Sequence, residues 1–249
     1  MSQEKTEAIV LRGIDFSETS RIITFLSPDR GRLTCMAKGV RRRNSSLAPM
    51  LDTFNRLEIV YYWKDARSIQ QLAEATILDT FSPIKRDLER ATRAAVSLEM
   101  AGKAAHENEP SFALYATLVH GLESLSQWTG NLRLHACWQA VHILAAAGHA
   151  PNLTTCIECG ADIPDPINWS RPPGFSYHGG IACANCRADV RLTSELYATL
   201  HALLEHPDAC PDMDMQGGLD KITYTFAMHQ LETDLRSVRV MNEMFGQTN

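Results

Sequence analysis

Hydrophobic positions change their spacing along the chain, and each change marks a different kind of structure. Over residues 1–80 they come in short runs of branched apolar residues, the spacing of strands. Glu7 to Phe16, Arg21 to Leu26 and Arg32 to Ala37 are predicted strands, with Pro28-Asp29-Arg30-Gly31 as the turn between the last two. Phe54 to Trp63 and Ser68 to Leu78 add two more, and Leu57, Ile59, Tyr61 and Trp63 alternate onto one face. Five short strands in about 75 residues suit a small closed barrel, which leaves no exposed sheet edge.

The period becomes helical at Ser82-Pro83, a serine cap followed by a proline suited to a first turn. A helix is predicted from there to about His106, its apolar stripe formed by Leu88, Ala91, Ala95, Leu98 and Ala101. Further helices fit Ser111 to Trp128 and Asn131 to Ala147, the latter closed by Gly148 and Pro151. Residues 151–190 lose all periodicity and are rich in proline and glycine. Helices resume at Thr193 to Glu205 and, after a Pro/Asp-rich linker, run from about Leu219 to Phe245. The expected architecture is α+β and multi-module: a barrel in 1–80, a helical domain in 81–150, an inserted module in 151–190 and C-terminal helices in 191–249 packing on the helical domain.

Cysteine changes this picture most. Cys156-Ile157-Glu158-Cys159 and Cys183-Ala184-Asn185-Cys186 are two C-x-x-C pairs inside the irregular stretch. Each such turn sets two thiolates on one side of a loop, and two turns complete a tetrahedron around a single structural zinc ion. Four thiolates leave no position for water or substrate, so the site is structural and not catalytic. His178 has no ligand position left to fill, and Cys35, Cys137 and Cys210 read as buried or incidental. His135, His142 and His149, seven residues apart, read as a half-exposed polar stripe on one helix.

Charge adds a second candidate site. The chain carries 24 Lys/Arg against 29 Asp/Glu, a net −5 that by itself disfavours nucleic acid. Yet residues 1–80 hold 12 basic against 10 acidic side chains, so the remainder holds 12 against 19. Residues 30–51 carry Arg30, Arg32, Lys38, Arg41, Arg42 and Arg43 with no acid among them. The run Lys38 to Ser46 joins two strands, so it forms a loop at one end of the barrel, either a solvated loop or a contact for phosphates. Phe54, Tyr61, Tyr62 and Trp63 serve either as core or as base-stacking platforms. Arg86, Arg90 and Arg93 form a fallback basic group on the first helix.

No apolar run is long enough to cross a membrane, and the N-terminus lacks an export signal, so the expected compartment is the cytoplasm. No P-loop, dinucleotide glycine motif, nucleophile elbow or H-E-x-x-H occurs, and the expectation is a protein that is not an enzyme.

Taken in order, Glu7 to Arg12, Glu18 to Ile23, Gly31-Arg32-Leu33 and Lys38 to Arg42 resemble the N-terminal barrel of the bacterial RecO family of DNA repair and recombination mediators. Leu144 to Cys159, then Phe175, Gly179-Gly180 and the second cysteine pair, resemble the entry to and exit from that family's zinc module. The resemblance implies a five-stranded OB-fold barrel followed by helices with an inserted four-cysteine module. It implies binding of single- and double-stranded DNA, annealing, and a place near the nucleoid. The partners it implies are single-stranded DNA-binding protein and RecR, with RecA reached indirectly. It assigns DNA contacts to Arg21, Lys38, Arg41 and Arg42; charge alone adds Arg30, Arg32 and Arg43. The alternative is a zinc-ribbon scaffold for protein partners, its basic loop incidental. A leftover apolar groove among the C-terminal helices, rimmed by Arg236 or Arg239, is the expected seat for an acidic partner tail.

Overall fold

The computed structural model describes residues 2–246. The chain divides into two compact units, one of residues up to 94 together with 101–127, the other of 95–100 together with the residues from 128 onward.

The first unit is built on five strands, β1 (Ser2–Asp15), β2 (Arg21–Ser27), β3 (Gly31–Ala37), β4 (Arg56–Trp63) and β5 (Gln70–Asp79). They close in the order β1-β2-β3-β5-β4, the OB-fold arrangement. β1 makes closure possible because it serves two neighbours. Its first part pairs with β4, from Ser2 opposite Trp63 to Ile9 opposite Arg56. Its second part pairs with β2 as far as Asp15 opposite Arg21, after a register shift between Val10 and Arg12 that bends the strand. A short parallel pairing, Cys35 opposite Gln70 and Met36 opposite Gln71, joins β3 to β5.

Alternation decides which side chains fill the barrel. Leu33 and Cys35 of β3 and Leu57, Ile59 and Tyr61 of β4 point inward and are wholly buried with Ile23 and Phe25. The loop from β3 to β4 contributes Val40 and Leu51 to the same core, with Leu47 and Met50 against it. Burying each such side chain stabilises the fold by about 1.5–3 kcal/mol. The basic loop is therefore pinned to the barrel by apolar anchors.

The single helix predicted from Ser82 is two, α1 (Ser82–Arg86) and α2 (Leu88–Ala104). Asp87 between them is extended (φ −119°, ψ 117°), and its carboxylate accepts from the backbone N–H groups of Glu89 and Arg90. This cap restarts the helix and shifts its face. Leu98 and Ala101 are buried as expected, whereas Leu88 is 64% exposed. α3 (Phe112–Gln127) completes the first unit.

In the second unit, α4 (Leu132–Ala146) is capped by Asn131, whose side chain accepts from Arg133 N–H and Leu134 N–H. Every residue from Leu134 to Leu144 is buried. His135 and His142 are thus interior groups and not members of a half-exposed stripe. Both rings lie edge-on to Trp138, at 5.1 and 5.3 Å between centroids, and His142 Nε2–H donates to the Leu203 carbonyl at 2.8 Å. Against α4 pack α5 (Ser194–Glu205) and α6 (Leu219–Gln230), and α7 (Arg236–Phe245) follows. The last two were expected as one helix. The chain breaks after α6, where Glu232 takes a left-handed conformation (φ 48°). Glu99 supplies the cap that Leu235 cannot, accepting from Arg236 N–H, Ser237 N–H and Ser237 Oγ–H.

Candidate metal centre and nucleic-acid interface

Cys156, Cys159, Cys183 and Cys186 come together with all four Sγ atoms within 4.8 Å of one another. A tetrahedron of metal–thiolate bonds near 2.3 Å has edges of about 3.8 Å. Cys159 Sγ and Cys183 Sγ lie 3.8 Å apart, and Cys183 N–H donates to Cys156 Sγ at 3.2 Å. The donor set and its spacing fit one metal ion held by four sulfurs.

Backbone hydrogen bonds shape each turn. Cys156 N–H donates to Ala161, Gly160 N–H to Cys156, and Cys186 N–H to Cys183. Between the pairs, β6 (Gly174–Ser176) joins β7 (Gly180–Ala182), and beyond the second pair β8 (Val190–Arg191) completes a small antiparallel sheet. Ile157 N–H donates to Ile181, which ties the first turn to that sheet.

Gly180 holds the arrangement at its closest approach. It sits at φ 133°, and an added Cβ would stand 2.1 Å from the Asn152 carbonyl oxygen. Asn152 in turn accepts through Oδ1 from Thr154 N–H and Thr155 N–H, setting the chain toward Cys156. Gly180→Ala is expected to destabilise the module by more than about 1 kcal/mol, since neither backbone nor space admits the methyl. Hydrogen exchange over residues 151–190 reads this directly, and unchanged protection would refute it.

The thiols do not ionise alike. Burial opposes ionisation of Cys156, but the backbone N–H groups of Cys183, Cys159 and Glu158, with the Cys159 thiol, outweigh it and bring that thiol down to about 6. Cys186 is held up near 12, first by its hydrogen bonds with the Cys183 and Cys159 thiols. Four thiolates this close need a shared cation before all can carry charge. The three other cysteines, Cys35, Cys137 and Cys210, are buried apart from this group, and burial alone pushes Cys35 up to about 12. His178 packs edge-on against His229 at 4.4 Å.

The predicted DNA contacts are divided between two ends of the barrel. Arg30 and Arg32 sit where β2 turns into β3. Arg30 Nη2 donates to both Glu4 carboxylate oxygens, at 2.8 and 3.0 Å, and the guanidinium lies over the Trp63 ring at 4.2 Å. Burial opposes it, yet hydrogen bonds from Arg30 and Tyr61 hold the Glu4 carboxyl below its usual range. Arg32 donates to the Gly102 carbonyl and pairs with Glu107. The acid-free window in sequence is therefore not one patch in space. Glu4 and Glu107, distant along the chain, meet its first two arginines.

Arg21, Lys38, Arg41, Arg42 and Arg43 gather at the other end, since Arg21 pairs with Ala37 across β2 and β3. Arg41 laces the basic loop to the turn between β1 and β2: its N–H donates to Thr19 and its Nη1 to the Ser17 carbonyl. Asp15 takes an ion pair from Arg21 at 3.3 Å and from Arg41 at 3.4 Å. Among the described residues Lys38, Arg42 and Arg43 have no ion pair. Gly13 leaves room for Arg21 to cross β1, since a Cβ there would stand 2.7 Å from its Nη2.

Of the aromatics, Tyr61 belongs to the core, with its hydroxyl donating to Glu4. Sequence spacing missed Phe16, in the turn beside this basic group and 58% exposed. Two of the fallback group are otherwise engaged, Arg93 buried against Glu89 and Arg90 donating to the Leu125 carbonyl, while Arg86 is exposed. The groove between α6 and α7, about 190 Å³, is lined by Asp220, Lys221, Tyr224, Thr225, Met228, Val238 and Asn242. Neither Arg236 nor Arg239 lines it. Among the described residues no helix is long and apolar enough to cross a membrane.

Comparison with known proteins matches residues 1–81 to the family described as Recombination protein O N terminal and residues 85–239 to Recombination protein O C terminal. The chain is similar to the DNA repair protein RecO of Streptomyces avermitilis, 31% identical over 98% of this chain and all of that one. It is also similar to the Nocardioides protein of the same name, 33% identical over 80% of this chain and 82% of its relative. The Roseiflexus protein is 26% identical over 96% of this chain and 85% of its own length. With the barrel and the helical part matched separately, and relatives aligned nearly end to end, the chain belongs to the Recombination protein O family of DNA repair proteins.

Proposed function

We propose that this chain is a non-enzymatic recombination mediator that binds single- and double-stranded DNA through one end of its barrel. The observation that carries the reading is the basic group of Arg21, Lys38, Arg41, Arg42 and Arg43, held in place by buried Val40 and Leu51. Phosphates approaching this end meet five cations, of which Asp15 occupies two. Each neutralised phosphate releases a counterion, so binding is independent of base sequence and sensitive to salt.

Zinc is the metal proposed for the four thiolates, where it neutralises their charge and fixes the local fold. The chain's own part is to aim four sulfurs at one point through the backbone turns at Cys156 and Cys183, with Gly180 close against Asn152. Four protein ligands leave no position for a reacting water, which supports a structural role.

Family membership supports the rest of the reading: annealing of complementary strands, and loading of the RecA recombinase onto DNA coated with single-stranded DNA-binding protein, together with RecR. Neutralising the phosphates of two strands at once lowers the repulsion that opposes their pairing. The balance of 12 basic against 19 acidic residues beyond position 80 favours a second reading, a zinc-ribbon scaffold whose helical part binds proteins. Two measurements on the full chain separate them. A mediator anneals labelled complementary oligonucleotides at low salt and is retained by immobilised single-stranded DNA-binding protein and RecR. Retention without any binding or annealing of oligonucleotides would leave the scaffold.

A further inference from the structure

We infer that Phe16 is a stacking platform for an unpaired base, which gives this end of the barrel a higher affinity for single-stranded than for double-stranded DNA. The inference rests on the DNA interface proposed above and gives it a residue that reads strandedness.

Phe16 lies between β1 and β2 and exposes 58% of its surface, a cost in water that no partner within the described residues removes. The turn that carries it is stiff. Phe16 N–H and Ser17 N–H both donate to the Ser20 carbonyl. The next carbonyl along, of Ser17, accepts from Arg41 Nη1. The turn that carries the ring is thus tied to the basic loop through Arg41.

The surface around it continues the argument. Ile14, two residues earlier and near the end of β1, is 54% exposed. Ile14 stands opposite Ile22 on β2, and Ile22 opposite Met36 on β3. An apolar row therefore crosses three strands of the barrel's outer face and ends beside an aromatic ring with cations nearby. An OB-fold barrel takes single strands by tracking phosphates with cations while bases stack on aromatic faces. Cations alone do not distinguish a duplex from a single strand, whereas a ring needs an unpaired base to stack on. Asp15 and Glu18 are the acidic groups of this turn, and Asp15 is already paired with Arg21 and Arg41.

The test compares full-length Phe16→Ala, Phe16→Tyr and a triple Arg41→Ala, Arg42→Ala, Arg43→Ala variant. Each is titrated with an oligothymidine and with a duplex of equal length, over a range of salt. Phe16→Ala is expected to lose roughly 5- to 150-fold in affinity for the single strand, with the salt slope and duplex affinity unchanged. Phe16→Tyr keeps a stacking face and is expected to stay within about twofold of the parent. Loss of single strand and duplex in equal measure by Phe16→Ala would overturn stacking, as would failure of tyrosine to rescue. If Phe16→Ala binds like the parent while the triple variant is weakened, stacking falls and the DNA interface stands. If neither variant differs from the parent, the interface itself falls.

Discussion

Serine in place of Cys156 or Cys183 is expected to abolish metal retention and melt residues 151–190 while the barrel stays folded. Parent protein prepared without chelator should carry one zinc per chain. The size of the effect follows from how little else holds the module. Its three strands have three, three and two residues, and Leu153, Phe175 and Ile181 are its large buried aliphatic and aromatic side chains. Binding of a structural zinc contributes roughly 10–16 kcal/mol in isolated peptides, far more than those side chains supply. The barrel belongs to the other compact unit and has its own core of Ile23, Phe25, Leu33, Leu57 and Ile59, so its amides should keep their protection. Elemental analysis with hydrogen exchange checks both halves of the expectation. Parent protein free of metal, or a serine variant with full protection over the module, would sink it.

Alanine at Arg41, Arg42 and Arg43 together is expected to remove most of the salt-dependent DNA affinity without unfolding the chain. Five cations at one end of the barrel give a log–log salt slope of about −3.5 on single strands, and the two left in the variant give about −1.4. Between 50 and 200 mM salt the parent would then weaken by about 100-fold and the variant by about 7-fold. Arg30 and Arg32 do not enter, because the turn from β2 to β3 puts them at the other end of the barrel. Stability should be nearly unchanged. The loop is held by Val40, Leu51 and the backbone bond from Arg41 N–H to Thr19, and alanine keeps all three while losing only the solvent-exposed bonds of Arg41 to Ser17 and Asp15. Filter binding at several salt concentrations, with a thermal melt as control, makes the comparison. Parallel salt slopes for parent and variant would show that this loop makes no phosphate contacts.

Much of the architecture was legible because its causes are local. Alternating burial in β3 and β4 is a property of successive residues, and so are the helix starts at Asn131 and Thr193. The four thiols met as their spacing required, since each C-x-x-C turn makes half of the site within four residues. Asp87 was equally local and was missed only because the apolar stripe of a longer helix overrode a strong cap.

Other features depended on contacts between residues far apart in the chain. A window without acids promised one basic surface, but β2 carried Arg30 and Arg32 to the end opposite Arg41 and brought Glu4 and Glu107 to meet them. Seven-residue spacing placed His135 and His142 on one side of a helix without saying whether that side faced water; packing around α4 buried both. Phe16 looked like the end of a strand, and its exposure followed only from how β1 and β2 turn above the barrel. Sequence by itself determined the five strands, most of the helices and the meeting of the four thiols, because backbone period and turn geometry act over a few residues. Tertiary structure decided which charges stay available and which aromatic ring faces solvent, because burial and ion pairing are set by whatever the fold brings alongside.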